Sequence, residues 1–276
     1  MPRTIRRRAV AAVALTTALL VGGGAAVAAS RQPAISTTTP KTADSITNID
    51  VLRQQIRNYY GDPLGTGTIG RTSNYVKEVH RIEAKAIRYL AAQRSIVKGE
   101  KALILDVDDT TLANYDYEVA SNWAYDPKTN AEYVTDQRFP AVPGMKRVVD
   151  AAKAGGYRVF FITGRPAAQE ASTLGNLGDD GVGVDAGYAP PSDPVGPDDG
   201  LFTKPAVADY PDYLKSACAD DPNGACTTIH YKSATRKHLE SLGYDVVANF
   251  GDQYSDLKGG ASGRTFKLPN PSYYLP

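Results

Sequence analysis

The stretch "ILDVDDTTLANY", residues 104–115, decides how the rest of this sequence is interpreted. An apolar run typical of a buried strand ends here, and Asp106, Asp108 and Asp109 follow directly behind it. Like charges this close raise one another's pKa and repel unless a cation lies among them. The crowding therefore predicts a bound metal ion at the end of a buried strand.

Short apolar runs alternate with helical patterns from residue 101 onward. We predict strands at "KALILDV", "YRVFFI", "CTTIHY" and "DVVANF", and helices at 143–154, "PAAQEASTLGNL" and "SATRKHLESLG". Two helices precede them: one begins at a capping box of Thr47 and Asp50, and the other covers residues 73–93. Strands alternating with helices of this length predict an α/β domain whose mainly parallel sheet is covered on both faces.

Each of the four predicted strands ends in residues that can carry chemistry. In chain order these are Asp106 and Asp108, then Thr163, Gly164 and Arg165, then Lys232, and finally Asp252 and Asp256. Parallel strands end at the same edge of a sheet, where ligands of such folds bind, so these groups can converge. Taken singly, the Thr-Gly pair also suits a turn and Asp252 a helix cap. Lys232 at a helix start predicts an anionic partner, because the helix dipole disfavours a cation there.

Taken together, these motifs resemble a known family. The order of DxDxT, a strand-end Thr, a Lys and GDxxxD is similar to that of the haloacid dehalogenase (HAD) superfamily of phosphohydrolases. "FFITGRP", "YKSATRK", "GDQYSDL" and "RTFKLPNPSYYL" resemble its subfamily IIIB acid phosphatases, which include plant vegetative-storage-type and bacterial secreted members. The resemblance spans residues 46–276 and implies a HAD-like Rossmannoid fold, a three-layer α/β/α arrangement with a small cap insertion. Two features depart from that branch: Asp109 stands where Glu is more usual, and the segment 178–225 is longer than usual.

The resemblance implies a role for each acid behind the first strand. Asp106 would be the nucleophile and form an aspartyl phosphate. Asp108 would protonate the leaving oxygen and later take a proton from water. Asp108 must then be neutral in the first step, and we expect the neighbouring carboxylates to raise its pKa. Asp109 is interpreted as structural.

The same resemblance implies a magnesium site and a phosphate site. Mg²⁺ prefers oxygen ligands and would be held by Asp106, the backbone carbonyl of Asp108 and Asp252. Asp256 would orient a water on the metal, or Lys232. The phosphoryl oxygens would meet Lys232, the Thr163 hydroxyl and the N–H groups around Gly164, with Arg165 as a further helper.

The first 29 residues have the pattern of a signal peptide. Arg3, Arg6, Arg7 and Arg8 precede an uncharged run, residues 9–29, that ends in small residues. A retained membrane anchor is the competing interpretation, although the run is only weakly hydrophobic, and both Sec and twin-arginine export stay open. Cleavage would change the formal charge from +1 to −3, because four Arg and no acid are removed. We predict an exported protein without stable membrane association, and without the basic excess that binds a nucleic-acid polymer.

The remaining chain is predicted to form a single domain, residues 46–276, behind a polar, disordered lead-in at 30–45. Residues 113–142 are polar and aromatic and predict a small cap. Residues 178–225 are rich in Gly, Pro and Asp and predict a surface insertion, with a calcium site as the alternative. Cys218 and Cys226 flank the turn-forming "ADDPNGA"; in an exported chain this favours a disulfide over a metal site, for which further ligands are lacking.

Together with the export signal, the resemblance to subfamily IIIB implies a secreted, magnesium-dependent acid phosphatase acting on small phosphomonoesters. Aromatic residues of the cap could stack a nucleoside base, or could simply pack the cap; they are Tyr115, Tyr117, Trp123 and Tyr125. The alternative is a non-catalytic storage or phosphate-binding protein of the same fold. The sequence predicts no oligomeric state.

Overall fold

The computed structural model describes residues 38–178, 180–188 and 200–275. Within these ranges the strands are β1 (Glu100–Leu105), β2 (Arg158–Pro166), β3 (Leu201–Lys204), β4 (Tyr244–Gly251) and β5 (Arg264–Lys267). They pair in the order β3-β2-β1-β4-β5, and every pair is parallel. The chain runs outward from β1 to β3 and then crosses to β4 on the other side of β1. The strand order therefore reverses beside β1, which is where ligands bind in such sheets.

Helices cover both faces of this sheet. In chain order they are α1 (Ile49–Tyr60), α2 (Asn74–Gln93), α3 (Tyr115–Ala120), α4 (Pro127–Thr135), α5 (Met145–Ala154), α6 (Glu170–Leu177), α7 (Asp212–Ala217), α8 (Thr228–Ser241) and α9 (Tyr254–Leu257). Alternate residues of β1 enter two separate cores: Leu103 and Leu105 pack with α1, α2 and α5, whereas Ala102 and Ile104 pack with α7 and α8. The predicted three-layer α/β/α fold is therefore confirmed.

The third predicted strand is wrong. "CTTIHY" contains no strand; α8 begins within it, capped by Thr227, whose side chain accepts a hydrogen bond from the His230 N–H at 3.2 Å. The β-branched residues favour a strand locally, but the chain here must cross from β3 to β4, which lie parallel in one sheet, and such a crossover needs a helix. Tertiary structure overrides local propensity at this point.

Two short strands were not predicted. β3 lies inside the stretch interpreted as a surface insertion, and β5 lies in the segment "RTFK" that carried only a resemblance. Each has four residues, too few for a period-2 pattern to stand out. The capping box of Thr47 and Asp50 is also wrong: Asn48 caps α1, accepting the Asp50 and Val51 N–H groups at 3.0 and 3.3 Å.

The remaining predictions concern the cysteines, the N-terminal segment and the long insertion. Cys218 and Cys226 form the predicted disulfide, between the end of α7 and the cap of α8. The predicted signal peptide, the first part of the lead-in and residues 189–199 of the predicted insertion lie outside the described residues. Among the described helices, none combines the length and the apolar character needed to cross a bilayer.

Candidate active site

The carboxyl ends of β1 and β4 bring three acids together. These strands are parallel neighbours with Leu105 opposite Phe250, and the Asp106 N–H donates to the Phe250 carbonyl at 3.0 Å. Asp106 follows β1 directly, and Asp252 and Asp256 follow β4. One carboxylate oxygen from each of the three lies within 4.8 Å of the others. The convergence expected of parallel strands thus holds for these residues.

Lys232 enters this cluster from α8. Its Nζ donates to Oδ1 of Asp106 and, at 2.6 Å, to Oδ1 of Asp256, and all three side chains are buried. Burial alone would lower the pKa of Lys232, but Asp106 and Asp256 outweigh that effect and raise it. The anionic partner predicted for Lys232 is therefore this pair of carboxylates. We call Asp106, Asp252, Asp256 and Lys232 the acid cluster.

The acid cluster holds more negative charge than Lys232 can balance. Burial, followed by Asp256 and Asp252, raises the pKa of Asp106 well above its usual range, although Lys232 acts in the opposite direction. Burial and Asp256 likewise raise the pKa of Asp252 to about 6. Acids in this state favour either protonation or a further cation.

Asp108 lies on the other side of β1, in contact with Arg165 at the end of β2. Arg165 donates from Nη2 to Oδ1 of Asp108 at 2.7 Å and from Nε to Oδ2 at 3.1 Å. Asn114 adds a third donor, Nδ2 to Oδ1 at 2.8 Å. Arg165 is fixed in turn, since its Nη1 donates to Thr173 at 3.1 Å and its guanidinium lies 5.3 Å from the Phe139 ring centroid. We call Asp108, Arg165 and Asn114 the arginine clamp.

The clamp corrects the expected electrostatics of Asp108. Neighbouring carboxylates were expected to raise its pKa. Burial alone would also raise that pKa, but the Arg165 charge and hydrogen bonds, with Asn114, outweigh burial and lower it. Without substrate, Asp108 is therefore held ionised, and it becomes neutral only at acid pH or when Arg165 is drawn elsewhere.

Thr163 and Gly164 lie within β2 beside the clamp. The buried Thr163 hydroxyl accepts the Arg165 N–H at 3.1 Å and donates to Oδ2 of Asp108 at 3.4 Å. Gly164 is exposed, and a Cβ atom added there would meet open space. The carboxyl end of β2 thus offers a hydroxyl and accessible backbone next to Asp108, as a phosphate site requires.

Asp109 lies in the turn after Asp108, between the arginine clamp and the rest of the motif. Its φ is 50°, in the left-handed region, which costs a non-glycine residue on the order of 1 kcal/mol. Its Oδ1 accepts the Asn114 N–H at 2.9 Å, and its Oδ2 accepts Nδ2 of Asn270 at 3.4 Å. Burial and Asp252 raise the pKa of Asp109. These contacts fit the structural role expected for it.

The acid cluster suits a hard divalent cation. Carboxylate and carbonyl oxygens are the ligands that Mg²⁺ prefers. Among the described residues, none donates a hydrogen bond to Oδ2 of Asp106 or to the Asp108 carbonyl, and Oδ1 of Asp252 accepts only a 3.3 Å bond from Thr110. Asp256 differs, because its two oxygens already accept Lys232 and, at 2.8 Å, the Gln253 N–H. Asp106, Asp108 and Asp252 thus keep acceptor capacity, whereas Asp256 orients Lys232.

Several contacts to the site were missed from the sequence. Asn114 holds Asp108, Thr111 donates to the Asp106 carbonyl at 2.6 Å, and Asn270 donates to Oδ2 of Asp252 at 2.7 Å. Arg236, one helical turn beyond Lys232, donates to the Asp256 carbonyl at 2.7 Å. None belongs to a spacing with a chemical meaning of its own. The available signal was their position inside quoted stretches: Thr111 and Asn114 in "ILDVDDTTLANY", Arg236 in "YKSATRK" and Asn270 in "RTFKLPNPSYYL".

Comparisons with known proteins identify similar sequences and a similar fold. A family model described as HAD superfamily, subfamily IIIB (Acid phosphatase) matches residues 25–276. Similar proteins include the "Stem 28 kDa glycoprotein" of Glycine max, 27% identical over 234 residues that cover 81% of this chain and 82% of that protein. "Acid phosphatase 1" of Solanum lycopersicum is 27% identical over 205 residues, 73% of this chain and 69% of that protein. The class C acid phosphatase of Bacillus anthracis shares the fold, with a TM-score of 0.57 and 18% identity over 82% of this chain and 87% of its own.

Proposed function

Because the chain belongs to subfamily IIIB of the HAD superfamily, the acid phosphatases, we propose that it is an exported, magnesium-dependent enzyme that works through a phosphorylated Asp106. Family membership makes it a phosphomonoester hydrolase. The observation that carries the finer proposal is the division of the strand ends into the acid cluster and the arginine clamp. The acid cluster would supply a nucleophile and oxygen ligands for the metal, and the arginine clamp would supply a proton carrier.

Asp106 is the residue best suited to attack phosphorus. It lies at the end of the central strand, and Lys232 binds its Oδ1. Its carboxylate would form a bond to phosphorus while the bond to the leaving oxygen breaks in line with it. Water would then attack the same phosphorus and regenerate the free carboxylate.

Asp108 is the residue best suited to move protons. It lies within hydrogen-bond distance of Thr163 and Arg165, and its side chain is 27% exposed, against 7% for Asp106. A protonated Asp108 would give its proton to the leaving oxygen, and the ionised form would take one from the attacking water. Because Arg165 favours the ionised form, protonated Asp108 is abundant only at acid pH, which fits an acid phosphatase.

The phosphoryl group would meet cationic and polar groups on both sides. Lys232 offers charge from the acid cluster, Thr163 a hydroxyl and Gly164 its accessible backbone. A phosphate entering here would compete with Asp108 for Arg165, which would weaken the clamp as substrate binds.

Magnesium fits Asp106, the Asp108 carbonyl and Asp252, and when bound it would neutralise charge on the phosphoryl oxygens and on these acids. The residues of the chain keep their own tasks beside it. Asp256 holds Lys232, and Thr110 holds Asp252. The acids outnumber Lys232 within the cluster, and this excess of negative charge is what supports the proposed metal.

The cap narrows the substrate proposal. Tyr115 and Tyr117 are each only 1% exposed and belong to the main apolar core, and the Trp123 ring is partly buried with Arg57 5.4 Å from its centroid, whereas Tyr125 is 70% exposed. Tyr125 is therefore the aromatic residue of this group best able to stack a nucleoside base. We infer that nucleoside monophosphates are among the substrates.

The test is a panel of phosphomonoesters assayed from about pH 4 to about pH 8, with Mg²⁺ and with a chelator. We expect hydrolysis that needs the metal, with nucleotides favoured over glycerol phosphate and that preference reduced in Tyr125→Ala. Metal-independent turnover would contradict the magnesium site, and equal rates for all esters would contradict base stacking. Recovery of the protein from the culture medium, with its N-terminus trimmed, would test export.

A further inference from the structure

The segment 268–275, which we call the tail, follows β5 and lies against the loop that carries Asp252. The Leu268 N–H donates to the Gly251 carbonyl at 2.9 Å, one residue before Asp252. Two residues further on, Asn270 sends Nδ2 to Oδ2 of Asp252 at 2.7 Å and to Oδ2 of Asp109 at 3.4 Å. The mechanism proposed above makes no use of this segment.

The two oxygens of Asp252 are in different environments. Oδ2 accepts two amide donors, Nδ2 of Asn270 and Nε2 of Gln253, both at 2.7 Å. Oδ1 accepts only the Thr110 hydroxyl, at 3.3 Å. Two strong donors on one oxygen fix the rotation of the carboxylate and leave Oδ1 as the oxygen able to bind a cation.

Both amide donors are themselves oriented by the tail. Oδ1 of Asn270 accepts the backbone N–H of Ser272 at 2.8 Å, which turns Nδ2 of the same amide toward Asp252. Oε1 of Gln253 accepts the Leu275 N–H at 3.0 Å, and its Nε2 also reaches the Tyr273 carbonyl at 3.4 Å. The backbone of the tail thus decides which end of each amide faces the acid.

Asn270 also separates two acids. Its amide group lies between Asp252 and Asp109, both buried, and offers N–H donors to each. A neutral donor shared in this way lowers the cost of keeping two carboxylates together without adding a charge that would compete with a cation.

We propose that Asn270 is a positioning residue for the metal ligand Asp252, and that the tail presets Oδ1 of that carboxylate for the cation. This inference rests on the proposed magnesium dependence. A tail that served only to fasten the end of the domain would affect the stability of the protein without metal and leave its affinity for Mg²⁺ unchanged. Direct measurement of metal binding separates these two roles.

The experiment is calorimetric titration of the purified full chain with Mg²⁺, for wild type, Asn270→Ala and Asn176→Ala. Asn176 is a matched control: it is fully buried and its Nδ2 donates at 2.8 Å to the carbonyls of Phe139 and Val184, away from the acids. We expect Asn270→Ala to raise the Kd for Mg²⁺ roughly 10- to 100-fold. Asn176→Ala should leave that Kd unchanged while lowering the melting temperature without metal at least as much.

A second variant, Asn270→Asp, extends the Mg²⁺ titration. It replaces the donors with a third carboxylate beside Asp252 and Asp109, so we expect weaker Mg²⁺ binding than in wild type. Tighter binding would mean that position 270 contacts the cation itself, and would overturn the positioning role.

The remaining outcomes separate this inference from the proposed function. Mg²⁺ binding by wild type with an unchanged Kd in Asn270→Ala would overturn the role of Asn270 alone. Absence of Mg²⁺ binding by wild type would overturn the magnesium proposal, and this inference with it.

Discussion

Asp106 and Asp108 are two residues apart in one motif, yet the acid cluster and the arginine clamp treat them in opposite ways. Asp106 shares Lys232 with Asp256, and its pKa is raised by burial and by Asp256 and Asp252. Asp108 has Arg165 to itself, and that guanidinium holds its pKa below the usual range against the effect of burial. The acids outnumber the cation where β4 and α8 meet Asp106, whereas β2 supplies one Arg for Asp108. A single motif therefore spans two opposite electrostatic environments, which fit the two proposed roles.

The largest expected effect is on catalysis, when Asp106 and Asp108 are each replaced. Asp106→Asn and Asp108→Asn should each lower kcat about a thousandfold or more, because one removes the proposed nucleophile and the other the proposed proton carrier. They should differ in metal binding: Asp106→Asn removes a carboxylate ligand, whereas Asp108→Asn keeps the carbonyl that we assign as a ligand. Steady-state rates and Mg²⁺ titrations on the same preparations measure both.

Asp50→Asn is the matched control, since Asp50 is exposed and pairs only with Arg53 among the described contacts of its side chain. Asp50→Asn should change neither kcat nor the affinity for Mg²⁺. Retained turnover in Asp106→Asn would contradict the nucleophile assignment, and an equal loss of Mg²⁺ binding in both site variants would erase the distinction between the two halves.

The next effect is on stability. Lys232→Met leaves Asp106 and Asp256 buried without their cation, which should cost about 3–5 kcal/mol of unfolding free energy without metal near neutral pH. Arg165→Met should cost less, about 1–3 kcal/mol, because Asp108 is partly exposed and water can solvate it. Urea unfolding of metal-free protein measures both.

The sign of the pH dependence distinguishes this cause from lost packing. The acids released by Lys232→Met become neutral at low pH, so the cost of the substitution should shrink as the pH falls. A cost that is equal at all pH values, or larger in Arg165→Met, would contradict the charge argument.

The sequence predicts much of this arrangement because long apolar runs mark the strands that matter most. β1, β2 and β4 are such runs, and the positions of Asp106 and Asp252 follow directly from the ends of β1 and β4. Four-residue β3 and β5 have no such signal, and the start of α8 reads as a strand until its place as a crossover is known. Lys232 was predicted at a helix start but lies beyond the first turn of α8.

The electrostatics of the site could not be predicted from the sequence. Neighbouring acids in the motif suggested a raised pKa for Asp108, because spacing along the chain shows the acids but not which cation each receives. Arg165 is 57 positions away from Asp108, and only the packing of β2 beside β1 brings its guanidinium onto that carboxylate. Asn270 and Gln253 were missed for the same reason, since an amide carries no charge pattern that identifies its partner.

A smaller effect concerns protons in the acid cluster. Burial and Asp256 raise the pKa of Asp252 to about 6 without metal, so this carboxyl is partly protonated in mildly acid solution, and it must lose that proton to bind a cation. Mg²⁺ binding should therefore release more protons from this group near pH 6 than near pH 8. Calorimetry in buffers of different ionisation enthalpy measures the release. An equal release at both pH values would show that Asp252 does not titrate in this range.

The smallest expected effect tests the arginine clamp without abolishing catalysis. The proposed first step needs protonated Asp108, so kcat/KM, which reports the free enzyme, should fall as the pH rises through the pKa of this carboxyl. Arg165 lowers that pKa, which places the fall at acid pH. In Arg165→Gln the pKa of Asp108 should rise, and the descending limb of kcat/KM against pH should move to higher pH. Arg165→Lys keeps a positive charge but loses the paired N–H contacts to Asp108, so its limb should lie between those of wild type and Arg165→Gln. An unmoved limb in Arg165→Gln, with Mg²⁺ affinity intact, would mean that Asp108 is not the proton donor.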